Sequence, residues 1–421
     1  MSSLSFKRIS VIGLGYIGLP TAAMFASRKI EVVGVDVNRR AIDTINRGAI
    51  HIVEPDLDMV VHAAVKEGFL RATTVPEPAE AFLIAVPTPF KGDNHEPDLS
   101  YIEAASKAIA PVLRPGNLVI LESTSPVGAT EAMADWLAAA RPDLSFPQNA
   151  GEASDIRVAH CPERVLPGKV MQELITNDRV IGGMTPACSA RAVALYKTFV
   201  TGDCVIASGP RVAEMAKLTE NSFRDVNIAF ANELSLICDK LGMDVWELIR
   251  LANRHPRVNI LQPGPGVGGH CIAVDPWFIV SSSPAEARLI RTARVVNDSK
   301  PEWVLDKVRA AIGAHLMERP DKTAADITVA VYGLAFKPDI DDLRESPALE
   351  ITLHIAAEHK GALLVVEPNI DELPKGLDSA RLVDLMTAGA AEVHVMLVDH
   401  REFKASAAPT GRIVDARGVW G

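Results

Sequence analysis

Four short apolar runs punctuate the first third of the chain, at 9–12, 32–35, 81–86 and 118–121, each rich in branched side chains and followed by helical periodicity. Apolar strands that run continuously rather than alternating mark a parallel sheet covered on both faces. The alternation of such strands with helical stretches predicts a doubly wound α/β sheet. Between 211 and 240 the pattern changes. Met215, Leu218, Phe223, Ile228, Phe230, Leu234 and Ile237 recur at helical spacing without Gly or Pro, which predicts one long helix, and 245–252 predicts another. Met215 and Phe223 are expected in a core rather than against a ligand. After a polar, Pro-containing stretch at 318–323, strand-like runs return at 327–332, 363–366, 393–398 and 413–414, and predict a second, smaller α/β lobe. The expected domains are 1–205, a helical central region at 206–310, and 311–421.

The size fits this reading, because 421 residues exceed the roughly 250–300 at which a single core stops growing. Lys plus Arg number 43 against 53 Asp plus Glu, a balance of −10 with no basic run, so nucleic acid is not an expected partner. A small anionic ligand is still compatible, since a few arginines and backbone amides can hold it. The five cysteines are odd in number, widely spread and without a CxxC pair, and the histidines are scattered. Reduced thiols, a cytoplasmic protein and no metal site are expected. The uncharged stretch 9–27 after Lys7 and Arg8 superficially fits a signal peptide or membrane span. Its Gly13, Gly15, Gly18 and Pro20, and the strand that follows, read instead as strand, turn, helix and strand, so no membrane insertion is expected.

Gly13-Leu14-Gly15-Tyr16-Ile17-Gly18 follows the first run and opens a helix, and Asp36 ends the next run. There the first glycine permits a tight turn, the second lets a pyrophosphate approach the backbone, and the third permits close helix packing. Tyr16 and Ile17 lie within the turn, and Asp36 is placed to accept from adenosine ribose hydroxyls. An acid at that position favours NAD, while Arg39 and Arg40 leave NADP open. Two further loops, 86–89 and 122–128, leave carboxyl strand ends; Thr88 and Thr124 either line the nicotinamide side or cap the next helices.

The segment 264–276, Gly-Pro-Gly-Val-Gly-Gly-His-Cys-Ile-Ala-Val-Asp-Pro, is the most informative. Its glycines let the backbone come close to a bulky anionic ligand, and it delivers the thiol of Cys271 with the carboxylate of Asp275 four residues on. The setting favours Cys271 as a nucleophile, which needs a cationic or hydrogen-bonding environment at neutral pH. Cys161, Cys188, Cys204 and Cys238 are read as structural. His255 and His270 are either ligand contacts or structural histidines.

With Cys161-Pro-Glu-Arg164, the helical stretch 214–233, the segment 257–276 and Gly333-Leu-Ala-Phe-Lys-Pro-Asp-Ile-Asp-Asp-Leu-Arg-Glu-Ser-Pro347, the whole chain resembles the UDP-glucose/GDP-mannose dehydrogenase family of NAD-dependent sugar 6-dehydrogenases. The resemblance implies two Rossmann-like domains with parallel sheets, joined by a long helix that also forms a homodimer interface, with NAD on the first and UDP on the second. It implies Cys271 as the thiol nucleophile, Lys217 and Asn221 flanking the reacting carbon, Asp275 and Thr124 positioning water or Lys217, and Glu163 assisting proton transfer. Lys337 and Arg257 would grip the nucleotide-sugar, Arg257 from the partner subunit, and Arg344 would close over NAD. Arg224, His255 and Gly268 complete the implied substrate contacts.

Two departures narrow the substrate. Pro162-Glu-Arg-Val-Leu-Pro167 stands where UDP-glucose members carry Pro-Glu-Phe-Leu-Arg-Glu, and Cys271-Ile-Ala-Val-Asp275 stands in place of their Cys-Leu/Phe-Pro-Lys-Asp. Both fit the 2-acetamido-sugar branch, with Arg164 and Val165 facing the sugar, and within that branch the overall resemblance, rather than any one contact, makes UDP-N-acetyl-D-mannosamine the expected substrate. The implied reaction is a four-electron oxidation at C6 through a cysteine thiohemiacetal and thioester, giving a uronate for bacterial surface polysaccharide. UDP-N-acetylglucosamine or UDP-glucose would serve the same chemistry. A one-step dehydrogenase, which has no need of Cys271, and a non-catalytic nucleotide-sugar sensor are the readings outside it.

Overall fold

In a computed structural model, residues 6–92, 94–166, 168–269 and 271–420 are described. His270 and Pro167, both named above, lie outside the described residues. The chain forms two compact units, Met1–Glu220 with Trp277–Ser282, and Asn221–Pro276 with Ser283–Gly421.

The first unit is built on β1 (Arg8–Ile12), β2 (Glu31–Val35), β3 (Leu70–Thr73) and β4 (Ala81–Ile84), a small antiparallel hairpin of β5 (Phe90–Lys91) and β6 (Glu96–Pro97), then β7 (Leu118–Leu121), β8 (Arg157–His160), β9 (Arg179–Gly183) and β10 (Cys204–Ile206). Eight of these make one sheet in the order β10-β9-β8-β7-β4-β1-β2-β3. Neighbours are parallel except β8 and β9, with Ile9 opposite both Val32 and Ala81. Successive side chains of a strand enter two different cores: Leu118 and Ile120 pack on one face, Val119 and Leu121 on the other. That explains why the runs are continuously apolar, since each fully buried Leu or Ile contributes about 1.5–3 kcal/mol.

The second unit carries a five-stranded parallel sheet of β11 (Val329–Tyr332), β12 (Leu363–Val366), β13 (Ala380–Leu382), β14 (Val393–Met396) and β15 (Arg412–Asp415), in the order β13-β12-β11-β14-β15. One sheet parallel but for the β8–β9 pair, one wholly parallel sheet and a long helix, Pro210–Leu241, make a fold of two Rossmann-like lobes with a helical centre. A second long helix, Arg288–Glu318, begins inside the helical region expected at 206–310 but does not stand out in the sequence as a single element; it runs through Pro301, a residue that ordinarily ends a helix. Among the described residues no helix is long and apolar enough to cross a membrane.

The long helix corrects one expectation. Met215 and Phe223 are 40% and 69% exposed, as are Val212, Phe230, Ile237 and Leu241 to similar degrees. The buried side of the helix instead carries Glu214, Lys217, Leu218, Asn221, Asp225, Asn232 and Ser235. The helix turns polar groups inward and apolar ones outward, so hydrophobicity alone pointed to the wrong face.

Candidate active site

The glycine turn of the first unit has the geometry its spacing demands. Gly13 sits at φ +91°, and a Cβ on Gly18 would fall 1.8 Å from the Gly13 carbonyl oxygen. A Cβ on Gly15 would meet nothing within 4 Å, which leaves open the side from which a pyrophosphate approaches the start of the helix Gly18–Ser27. Tyr16 and Ile17 are half-buried in this turn. Asp36 takes the Leu14 and Asn38 amides at 2.8 Å each and stays partly exposed. At the carboxyl ends of β4 and β7, the hydroxyls of Thr88 and Ser125 are buried without a hydrogen-bond partner. Such orphaned groups, an open glycine and a partly exposed acid fit a bound dinucleotide.

Thr124 is half-buried on the loop after β7. That loop is fastened to the long helix by Glu214, whose carboxylate accepts from the Gly128 amide (2.7 Å) and from the Thr130 amide and hydroxyl (2.8 and 2.6 Å). Lys217, one turn further along the helix, is buried. Glu163 is buried too: Arg179 donates to one of its oxygens at 2.6 Å and the Arg164 amide to the other at 2.8 Å.

Arg179 itself is almost fully buried over the Tyr196 ring, and the Tyr196 hydroxyl donates to Glu122 at 2.6 Å. Burial pushes the Glu122 carboxyl up to about 7 despite the pull of Arg179, and pushes the Cys161 thiol up to about 12. A carboxyl poised near neutrality therefore lies behind the clamped carboxylate of Glu163. Arg179, Tyr196 and Glu122 escaped the sequence reading. Only Glu122, at a strand end beside the Ser-Thr loop, carried a signal there.

The substrate residues expected after Cys161 are engaged within the protein. Arg164 pairs with Glu220 (2.6 Å) and reaches the Asp178 carbonyl, while Val165 packs against the first unit's core. Arg344 makes a two-pronged pair with Asp342. Arg224, His255 and Arg257 are exposed, and Lys337 is half-buried.

In the second unit Asn221 donates to Asp275 at 2.5 Å, both side chains being buried. The Asp275 amide closes a turn onto the Cys271 carbonyl at 2.8 Å. Of the five thiols only that of Cys271 is exposed. Thus Asn221, Asp275 and Cys271 gather in this unit, and Thr124, Glu163 and Lys217 belong to the first.

The glycines before Cys271 have a further use. A Cβ on Gly268 would lie 2.3 Å from the Glu345 carbonyl oxygen, and one on Gly269 2.9 Å from the Phe336 ring. The loop therefore nests against 336–347, and the glycine density read as room for a ligand also serves loop-on-loop packing. From the other side a buried polar chain holds it: Gly264 donates to Asn232 (2.9 Å), Asn232 to Asn297 (2.8 Å), Asn297 to Asp225 (2.8 Å), and Arg294 pairs with Asp225 at 2.7 Å. Beside the loop, Pro265, Gly266, Phe336, Pro338, Asp399 and Arg417 line a small cleft partly open to solvent. Arg417 is anchored to Asp399 at 2.8 Å.

Comparison with known proteins accords with this arrangement. Residues 7–200 match the NAD binding domain of the UDP-glucose/GDP-mannose dehydrogenase family, 211–299 its central domain and 330–421 its UDP binding domain. A UDP-N-acetyl-D-mannosamine dehydrogenase of Yersinia pestis is 69% identical, covering 99% of this chain and all of that protein. An NDP-N-acetyl-D-galactosaminuronic acid dehydrogenase of Ralstonia nicotianae is 62% identical over 99% of this chain and 97% of its own length. The structure of a UDP-D-ManNAc dehydrogenase from Pyrococcus horikoshii superposes with a TM-score of 0.85 at 39% identity, over 98% of this chain and 96% of that one. The chain belongs to the UDP-glucose/GDP-mannose dehydrogenase family, the NAD-dependent dehydrogenases of nucleotide sugars.

Proposed function

We propose that this enzyme oxidises UDP-N-acetyl-D-mannosamine at C6 to UDP-N-acetyl-D-mannosaminuronate in two two-electron steps, with Cys271 as the covalent nucleophile. The observation that carries the reading is one solvent-exposed thiol, a single turn before the buried Asn221–Asp275 pair, in a chain 69% identical to an enzyme of that name. NAD, when bound, accepts a hydride in each oxidation.

The chain's own groups do the rest. Lys217 stabilises the alkoxide as the C6 hydroxyl passes its proton to water, and the Cys271 sulfur adds to the resulting aldehyde, retaining a reactive carbonyl on the protein as a thiohemiacetal. Asn221 donates to the oxyanion of that adduct. Its second oxidation leaves a thioester, and water held by Thr124 and Asp275 displaces the thiol with Glu163 assisting proton transfer. Arg257 and Lys337 hold the nucleotide-sugar with Arg224, His255 and Gly268, and the cleft lined by Arg417 extends that surface. Arg344 closes over the cofactor once it leaves Asp342, and Arg164 reaches the sugar with the N–H groups not given to Glu220.

In this reading 1–205 binds the cofactor, 206–310 carries the thiol and the contacts between subunits, and 311–421 binds UDP. The outward apolar row of Phe223, Phe230 and Ile237, spaced by heptads on the long helix, supports a homodimer through that helix, with the exposed Arg257 reaching the partner's site. The product serves surface polysaccharide assembly from the cytoplasm.

The deciding experiment is NADH released per sugar at completion, with UDP-N-acetylmannosamine, UDP-N-acetylglucosamine, UDP-N-acetylgalactosamine and UDP-glucose each limiting. Two equivalents from the manno sugar are expected. One equivalent would end the thioester reading, and two from a different sugar would transfer the reading to that substrate; the Ralstonia relative's name is the reason the galacto sugar belongs in the panel. In Lys217→Ala, kcat should fall roughly 10²–10³-fold with KM within a few-fold, the size of one lost oxyanion donor. An effect confined to KM would make Lys217 a binding group instead.

A further inference from the structure

The second sheet repeats the first sheet's turn almost atom for atom. In the first unit Gly13 (φ +91°) donates to the Val35 carbonyl at 2.8 Å, and the Leu14 amide donates to Asp36 at 2.8 Å. In the second, Gly333 (φ +92°) donates to the Val366 carbonyl at 2.8 Å, and the Leu334 amide donates to Glu367 at 2.8 Å. Each acid also takes the amide of an asparagine two residues on, Asn38 or Asn369.

The two acids part company in what else surrounds them. Asp36 accepts those two amides and is partly exposed. Glu367 is buried and accepts five N–H groups: the Leu334 and Ala335 amides, the Asn369 amide and side chain, and His400 Nε2 at 3.1 Å. A carboxylate offers about four acceptor positions, so none is left for a ribose hydroxyl. His400 is completely buried, edge-on to Phe403. Its Nδ1 accepts from the Asp339 amide at 2.9 Å and faces the Asn369 side-chain amide at 3.2 Å. These partners assign a neutral ring with its proton on Nε2.

One hydrogen-bonded pair thus fastens both ends of the segment 333–339, Glu367 at Leu334 and Ala335, His400 at Asp339. Asp339 is held there at φ +62°, a left-handed conformation that a residue with a Cβ adopts reluctantly. Lys337 lies between the two fastenings.

We propose that His400 and Glu367 are positioning residues for the nucleotide: the imidazole occupies from within the place a ribose takes against the matching acid of the first sheet, and it sets the loop that presents Lys337 to the diphosphate of a nucleoside-diphosphate sugar. The second sheet thereby keeps a nucleotide-binding turn while losing the dinucleotide ribose site. This rests on the assignment of Lys337 to the nucleotide made above.

The test uses the full-length protein with UDP as probe. His400→Ala should weaken UDP binding about 10- to 100-fold, the scale of a lost charge-assisted hydrogen-bond arrangement. KM for the UDP-sugar should rise in parallel, with kcat at saturation and NAD affinity within twofold, and added imidazole should fill the vacated space and restore most of the UDP affinity. Unchanged UDP affinity, or a loss that imidazole does not repair, overturns the proposal. Should His400→Ala not fold, Glu367→Gln, which keeps the shape and removes the carboxylate, decides by the same KM-against-kcat split. Lys337→Ala in parallel separates the two levels: undiminished UDP binding there would refute the Lys337 assignment whatever the His400 variant does.

Discussion

Cys271→Ser is expected to bind UDP-sugar and NAD as the parent does while forming uronate roughly 10³-fold more slowly or not at all. The substitution changes one atom on an exposed side chain, so the loop, nested against Phe336 and Glu345, has no reason to move. Serine's hydroxyl ionises far above neutral pH, whereas a thiol needs only a modest push to become a thiolate. The aldehyde formed in the first oxidation then has no sulfur to add to, and the second oxidation lacks its substrate. Binding measured by calorimetry, together with uronate followed by chromatography, checks both halves. A variant that makes uronate near the parental rate removes Cys271 from the chemistry. One that loses nucleotide-sugar binding makes the thiol a contact rather than a nucleophile.

Arg294→Ala is expected to produce the largest loss of local stability. Arg294 and Asp225 are both essentially inaccessible, and the pair ends the polar chain that runs through Asn297 and Asn232 to Gly264. Burial already pushes the Asp225 carboxyl up against the pull of Arg294. Removing the guanidinium strands a buried carboxylate, which typically costs about 3–5 kcal/mol. The double replacement Arg294→Met with Asp225→Leu should be much milder, because no charge is then left behind. Hydrogen exchange across 221–241 and 288–318 reads the effect directly. Protection should fall by roughly 10² to 10³·⁵-fold in the single variant, and a fall below about fivefold would show that solvent reaches Asp225 readily.

Much of this was legible in the residues. The turn Gly13–Gly18 and Asp36 could be read because Gly13 and Gly18 answer demands set within the turn itself, a positive φ and a close approach to the Gly13 carbonyl, and Gly15 leaves the start of the helix open. The strands could be read because both faces of each sheet are covered. The inner face of Pro210–Leu241 could not, since its rule is the reverse of the usual one: Lys217 is buried, Asn221 and Asp225 go inward to meet Asp275 and Arg294, and Met215 and Phe223 go outward. The helix Arg288–Glu318 was hidden by Pro301. Arg179 and His400 were invisible for a different reason. Each acts through a partner on another strand or loop, Glu163 or Glu367, and nothing local marks such a pairing. The resemblance supplied names for the reacting groups but not for the residues that hold them.

The uneven burial of the five sulfurs has a consequence for how this protein ages. Cys161, Cys188 and Cys238 are enclosed, and Cys204 is half-covered with its thiol pushed up by burial, so an oxidant or alkylating agent in the surroundings meets one reachable target. Damage would not spread over the molecule or announce itself as unfolding. It would accumulate at Cys271 and, with that thiol as the proposed nucleophile, would leave well-folded chains that still hold their ligands and have fallen silent one sulfur at a time.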